Sequence, residues 1–241
     1  MATLLSIIQD AADRIGLAAP ASVIGSSDPQ TRQLLSLANQ EGRTLARRYG
    51  WQAITFEKTF TTVAQESQTG AIAADYDRMV KDTFYDRTAG RPVIGPVSAV
   101  EWADYQGGRS AINANAYRIR GDAILLAPAP TAGSTYAYEY VSKYWCGADG
   151  ATTPARDAWA VDTDIPFLDT EALTLGTVWR FQKSRGLEFA QSFQDYEYLL
   201  AQLMGRDGTA RTLSMQEETR FRRPRLSGVV AIPGDSALTD D

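Results

Sequence analysis

The sequence predicts an α+β fold: a four-helix unit built from both ends of the chain, a β-rich insertion forming an antiparallel sheet or sandwich between its halves, and an extended carboxy-terminal arm. Three observations carry this expectation. Apolar residues recur at helical spacing near both ends, the middle turns to β-branched and aromatic residues punctuated by glycine turns, and beyond Gly205 the apolar periodicity stops. The implied boundaries are a first helix pair over 1–50, the β-rich insertion over 51–163, a second helix pair over 164–205, and an arm or tail over 206–241.

Residues 3–15 place Leu4, Ile7, Ile8, Ala11, Ala12 and Ile15 on one helical face, and Gly16 follows as a C-terminal stop. A loop rich in Ala, Pro, Ser and Gly runs from Leu17 to Ser27. Pro29 to Trp51 then predicts a long amphipathic helix with Asp28 as N-cap, Pro29 in the first turn, and Leu34, Ala38, Gly42, Leu45 and Tyr49 on one face. The helix should stop at Gly50. A glycine in mid-helix costs about 1 kcal/mol relative to alanine, so Gly42 predicts a second helix packed closely on that strip.

After Trp51, Ile54, Phe56, Thr59, Phe60, Thr61 and Val63 have strand composition, and Gln65 to Gly70 reads as a turn. Short strand-like pieces follow at Thr83 to Tyr85, Arg91 to Ile94, Tyr117 to Arg120, Ala123 to Leu126 and Thr135 to Val141. Gly121-Asp122 between two of them is a tight-hairpin signal. Ser98 and Glu101 are spaced as a capping box and predict a short inserted helix over Ser98 to Tyr105. From Asp164 to Thr170 come caps, then the stripe Leu168, Ala172, Leu175, Gly176 and Trp179 ending near Gly186, and the stripe Phe189, Phe193, Tyr196, Leu200 and Leu203 ending before Gly205. The short link makes these two helices antiparallel, and their stripes find partners in the amino-terminal helices, with Gly42 and Gly176 allowing close backbone approach.

The chain has 241 residues, 44% of them hydrophobic and 22% charged, enough to bury a core as one large domain or two small ones. No run approaches 18 apolar residues, and Asp10 and Asp13 stand where a secretory signal would be basic then apolar, so the expected place of action or assembly is the cytoplasm. Histidine is absent, which removes triad hydrolases, imidazole zinc sites and histidine bases. The single cysteine, Cys146, excludes an internal disulfide and reads as a small, partly buried residue rather than a catalytic thiol. A net charge of −5 argues against wholesale attraction to nucleic acid.

The acidic residues Asp157, Asp162, Asp164, Asp169 and Glu171 are the best candidates for a divalent-cation site or a carboxylate pair, but they match no calcium-loop spacing and read first as helix caps and a solvated loop. The glycines at Gly107-Gly108 and Gly147 to Gly150 lack the lysine and serine of a phosphate loop and read as turns. Trp51, Trp102, Trp145, Trp159 and Trp179 are scattered, which suits packing better than a carbohydrate platform. No catalytic residue, metal ligand or cofactor is expected. The candidate site is instead the arm, where Arg220, Phe221, Arg222, Arg223 and Arg225 surround Pro224. Six arginines against three acidic residues give Arg206 to Arg225 a local +3. A protein-binding arm is the first reading, with a solvated tail and direct nucleic-acid contact as the others.

The order of elements, the pattern LLSIIQDAADRIGL, the helix ending in Arg48-Tyr49-Gly50-Trp51, and TEALTLGTVWRFQKSRG with its partner helix resemble the head-to-tail adaptor (connector) proteins of tailed phages, especially the tail tubular protein A type of short-tailed phages. The resemblance covers residues 1 to about 205 and rests on no catalytic motif. It implies a virion structural protein: a homo-oligomeric ring, usually twelvefold, beneath the portal protein, continuing the DNA channel towards a downstream tail or nozzle protein without sequence-specific DNA binding. An acidic or neutral channel lining that lets DNA slide is the expectation from net charge. Two readings from other classes stand beside it, a carboxylate-dependent cell-wall hydrolase of the tail and a nucleic-acid-binding module using the carboxy-terminal arginines.

Overall fold

The structure, a computed structural model, describes residues 2–107 and 115–208. It is α+β, with five helices and antiparallel sheets. The first helix, α1 (Leu4–Arg14), begins with a reciprocal capping box between Thr3 and Ser6 and ends before Gly16, whose φ of 73° suits glycine. Its first free N–H groups are taken up from outside the helix: Leu4 N donates 2.8 Å to Asp164 O and Leu5 N donates 3.1 Å to Asp162 O. Of the face expected to be apolar, Leu4, Ile7, Ile8, Ala11 and Ala12 are buried and Ile15 is half-buried.

The long helix α2 (Pro29–Arg48) starts as the sequence predicts. Asp28 accepts from the Thr31 amide at 2.8 Å and from its hydroxyl at 2.7 Å, and these bonds hold the Asp28 carboxyl below its ordinary pKa. The helix stops at Arg48, short of Gly50. Tyr49 is extended because it is claimed from two sides: its carbonyl accepts from the Arg78 guanidinium and its ring stands edge-on to Trp51 at 5.1 Å. Gly42 corrects the expectation of a helix on its strip. A Cβ there would lie under 3.0 Å from three atoms of the Trp145 indole, so the space left by the missing side chain is filled by a tryptophan from the middle of the chain.

A short 3-10 turn (Gln52–Ile54) leads into the strands, whose centre is β8 (Thr135–Ser142). One edge of β8 pairs throughout with β1 (Thr55–Thr61), from Thr55 opposite Val141 to Thr61 opposite Thr135. Its other edge takes β3 (Tyr76–Met79) and then β4 (Tyr85–Asp86), which pairs onward with β5 (Arg91–Pro92). A second sheet has β7 (Ala123–Ala127) between β2 (Ser67–Thr69) and β6 (Ala116–Arg120), and the β6–β7 hairpin turns at Gly121 with φ 57°. The two sheets share one largely aromatic core: Tyr136, Tyr138 and Tyr140 of the first, with Phe84 just before β4, pack with Tyr117, Ile124 and Leu126 of the second. The turn expected over Gln65 to Gly70 is partly strand β2. The buried Gln68 amide closes the bend locally, donating to Val63 O at 3.0 Å and accepting from Val63 N at 2.9 Å, and this frees Ser67 to Thr69 to pair with β7.

The inserted helix α3 (Ala99–Gln106) has the capping box of Ser98 and Glu101 and buries Trp102 against Leu125 and Ala127. Beyond β8 the chain makes a two-stranded pair, β9 (Cys146–Gly147) with β10 (Ile165–Pro166), and then α4 (Thr170–Ser184), capped by Asp169, and α5 (Ala190–Asp207). The last helix runs through Gly205 to Asp207, whose carboxylate accepts from Gln52 N at 3.0 Å. Helix α4 lies against α1, α2 and α5. Arg14 grips Glu171 with two bonds of 2.7 and 2.9 Å, and Gln33 donates to Ser184 at 2.8 Å. Val141, Trp145, Cys146 and Trp159 enter the helical core as well, with the Trp145 and Trp159 rings edge-to-face at 4.8 Å.

The Gly42 contact predicts opposite signs for two alanine substitutions. Gly42→Ala should lower the urea unfolding free energy by about 1 to 3 kcal/mol through forced displacement of Trp145. Gly205→Ala, where a Cβ meets nothing within 4 Å, should be neutral or stabilising by up to about 1 kcal/mol from helix propensity. Tryptophan fluorescence follows both transitions.

Candidate functional site

Helix α2 carries two chemically opposed faces. On the inner face Glu41 falls among Leu34, Ala38 and Leu45 and is fully buried. Burying a carboxylate is costly unless it is paired and hydrogen-bonded. Two other helices supply both needs. From α4 the Arg180 Nε donates 2.6 Å to Glu41 Oε2, and from α5 the Tyr196 hydroxyl donates to Oε1. Gly176 is what lets the carboxylate in, since a Cβ there would stand under 3.0 Å from the Glu41 side chain. Burial, reinforced by the neighbouring Glu41 charge, pushes the Tyr196 hydroxyl far above its ordinary pKa, so it stays a donor.

The outer face is basic. Glu41 is the only acidic residue of α2, while Arg32, Arg43, Arg47 and Arg48 are exposed. An open groove there is lined by Ser36, Gln40, Arg43, Thr44, Arg47 and Arg48. Arg48 pairs with Glu197 of α5, which raises its pKa, and Arg43 Nε donates 3.2 Å to the Asp157 carbonyl. Arg47 is 71% exposed and reaches Asp77 only at 3.9 Å, while Asp77 is already bound by Arg78 at 2.7 Å.

The acidic residues singled out in the sequence do not converge on a site. Asp162 accepts from Val23 N and Ile24 N, Asp164 is buried against Arg156 and the amides of Ala160 and Val161, Asp169 caps α4, and Glu171 holds Arg14. Among the described residues no group of three or more Cys, Asp or Glu side chains is placed to hold a metal ion. Cys146 is a buried free thiol whose pKa is pushed up to about 12, chiefly by burial, which makes it a poor nucleophile. All five tryptophans are buried, so none forms an exposed platform. Gly107 ends α3 and Gly147 lies in β9. Arg220, Phe221, Arg222, Arg223 and Arg225 lie outside the described residues. The Glu41 node and the arginine face escaped the sequence reading, although a glutamate on an apolar stripe and arginines at 32, 43 and 47 on the opposite side were both available as signals.

A family model described as SU10 adaptor protein matches residues 2–223, nearly the whole chain, and the chain belongs to that family. It is thereby a bacteriophage structural adaptor, and its place is the virion. No curated protein matches the chain. Among the described residues no helix is long and apolar enough to cross a membrane.

Two measurements probe the buried chemistry. Arg180→Met should cost about 3 to 5 kcal/mol in urea unfolding by leaving Glu41 buried and unpaired, whereas Glu41→Gln combined with Arg180→Met should cost clearly less. The tyrosines give a pH signature. Burial raises Tyr136 and Tyr138 to about 12 from an ordinary 10.0, so between those values the folded state holds protons that the unfolded state has released. Stability should therefore be intact below pH 10 and fall as pH rises towards 12, by up to about 1.4 kcal/mol per pH unit for each such tyrosine. Absorbance at the phenolate band during alkaline titration should show these groups ionising together with unfolding.

Proposed function

We propose that this adaptor forms a closed ring between the portal and the tail of its phage and continues the DNA channel across that junction. The observation that carries the reading is the family match over residues 2–223, which takes in helices, sheets and the first part of the carboxy-terminal segment alike. The action is assembly. A subunit that closes a ring must offer two different faces to its two neighbours, and a body with a helical core and a separate aromatic core between two sheets supplies unlike surfaces. In this reading the helices from both ends of the chain serve as one four-helix unit, the sheets contact neighbours or the downstream tail or nozzle protein, and the segment beyond α5, with Arg220 to Arg225, reaches to the portal. The usual twelvefold ring and kinship with the tail tubular protein A type complete the picture. Assembly takes place in the host cytoplasm.

A carboxylate-dependent hydrolase draws no support from the acidic residues, because Asp162, Asp164, Asp169 and Glu171 are engaged in caps, loop closure and ion pairs.

Light scattering of the chain alone and mixed with its portal protein tests the proposal. A small species that becomes a ring-sized complex on the portal is the expected result, and an unchanged mass across a range of salt would overturn it. Deleting residues 206–241 should then abolish portal binding; full binding by the shortened chain would remove the arm as the anchor.

A further inference from the structure

We infer that the exposed arginine face of α2 binds the phosphate backbone of duplex nucleic acid, without regard to sequence. This rests on the channel reading above and names the surface that the channel presents to its cargo; it replaces the acidic or neutral lining suggested by net charge.

Three observations point this way. The first is charge placement: in a chain of net charge −5, α2 exposes Arg32, Arg43, Arg47 and Arg48 and no acid. Arg48 is neutralised by Glu197, but among the described residues Arg43 forms no ion pair and donates to a backbone carbonyl oxygen, and Asp77, which Arg47 reaches at 3.9 Å, is shared with Arg78, with Asp157 lining the adjoining pocket. The second is geometry. Arg32, Ser36, Gln40, Arg43 and Arg47 lie at helical spacing on one face, and from Arg32 to Arg47 at 1.5 Å per residue the row runs about 22 Å, enough to follow several phosphates. The third is composition. Among the described residues the groove is lined by Ser36, Gln40, Thr44 and arginines, with no aromatic or aliphatic side chain. A protein partner would call for an apolar or aromatic centre depleted in charge, whereas arginine, serine, threonine and glutamine are the side chains that contact phosphate oxygens. Glu41, Arg180 and Tyr196 hold the opposite face of the same helix, so the row is presented on a fixed support.

The test uses the full chain and fluorescence anisotropy with two unrelated duplexes of roughly 30 bp over a range of salt. The wild-type chain should bind both alike, with affinity falling steeply as salt rises. The triple variant R32Q/R43Q/R47Q should bind at least about tenfold more weakly, and its slope of log affinity against log salt should be shallower by about 0.9 per arginine removed. The lysine version, R32K/R43K/R47K, should restore most of the slope, because phosphate contact depends chiefly on charge. An unchanged slope in the glutamine variant, loss of all binding on changing only Arg220, Arg222, Arg223 and Arg225 to glutamine, or equal affinity for polyglutamate would each overturn the inference, the last in favour of an acidic protein surface. Ring mass on the portal separates this outcome from the assembly reading. Normal rings with no α2-dependent DNA binding would sink only the inference, and α2-dependent binding without rings would sink only the assembly reading.

Discussion

A carboxylate with no exposed surface must find its charge and hydrogen-bond partners inside the protein, and Glu41 finds them on two other helices. Arg180 of α4 and Tyr196 of α5 meet on its two oxygens. The demand is directional as well as electrostatic, because each partner bonds a different oxygen at a fixed angle. Apolar stripes alone would tolerate sliding of one helix along another; a shared buried carboxylate does not. Gly176 belongs to the same constraint, since any side chain there would meet the Glu41 carboxyl.

A second joint links helices to sheets. Strand β8 points Tyr136, Tyr138 and Tyr140 into the core between the two sheets, while Val141 and, after the strand, Trp145 enter the helical core. Trp145 reaches the backbone of α2 because Gly42 has no side chain. The Tyr138 hydroxyl donates to Ala71 O at 2.8 Å and that of Tyr140 to Asp75 at 2.9 Å, so the aromatic core carries its own polar anchors. For a structural adaptor such joints, and not a reactive group, are the features that the fold supplies.

How legible this was in the sequence follows the range of the interaction. The Asp28 cap before Pro29, the Ser98 and Glu101 box and the Gly121 hairpin are settled within a few residues, and each was readable. Gly42 announced a close approach but not its partner, since Trp145 arrives from far along the chain. Strands β3, β9 and β10 span two to four residues and leave no periodicity to detect. The bend closed by Gln68 looked like a plain turn because a side-chain amide replaced the backbone bonds. Glu41 was passed over because its neighbours on the stripe are apolar, and that same fact makes it a buried charge. The phage-adaptor class was legible from the order of elements and not from any one site.

Native-state hydrogen exchange on the free chain tests most directly whether the helical layer is one part fastened at Glu41. The amides of α2, α4, α5 and the segment from Trp145 to Trp159 should open with a common free energy, within about 1 kcal/mol of global unfolding, and Arg180→Met should lower them together. Independent opening of α5 at much lower free energy, with α2 and α4 unaffected by the substitution, would contradict the account.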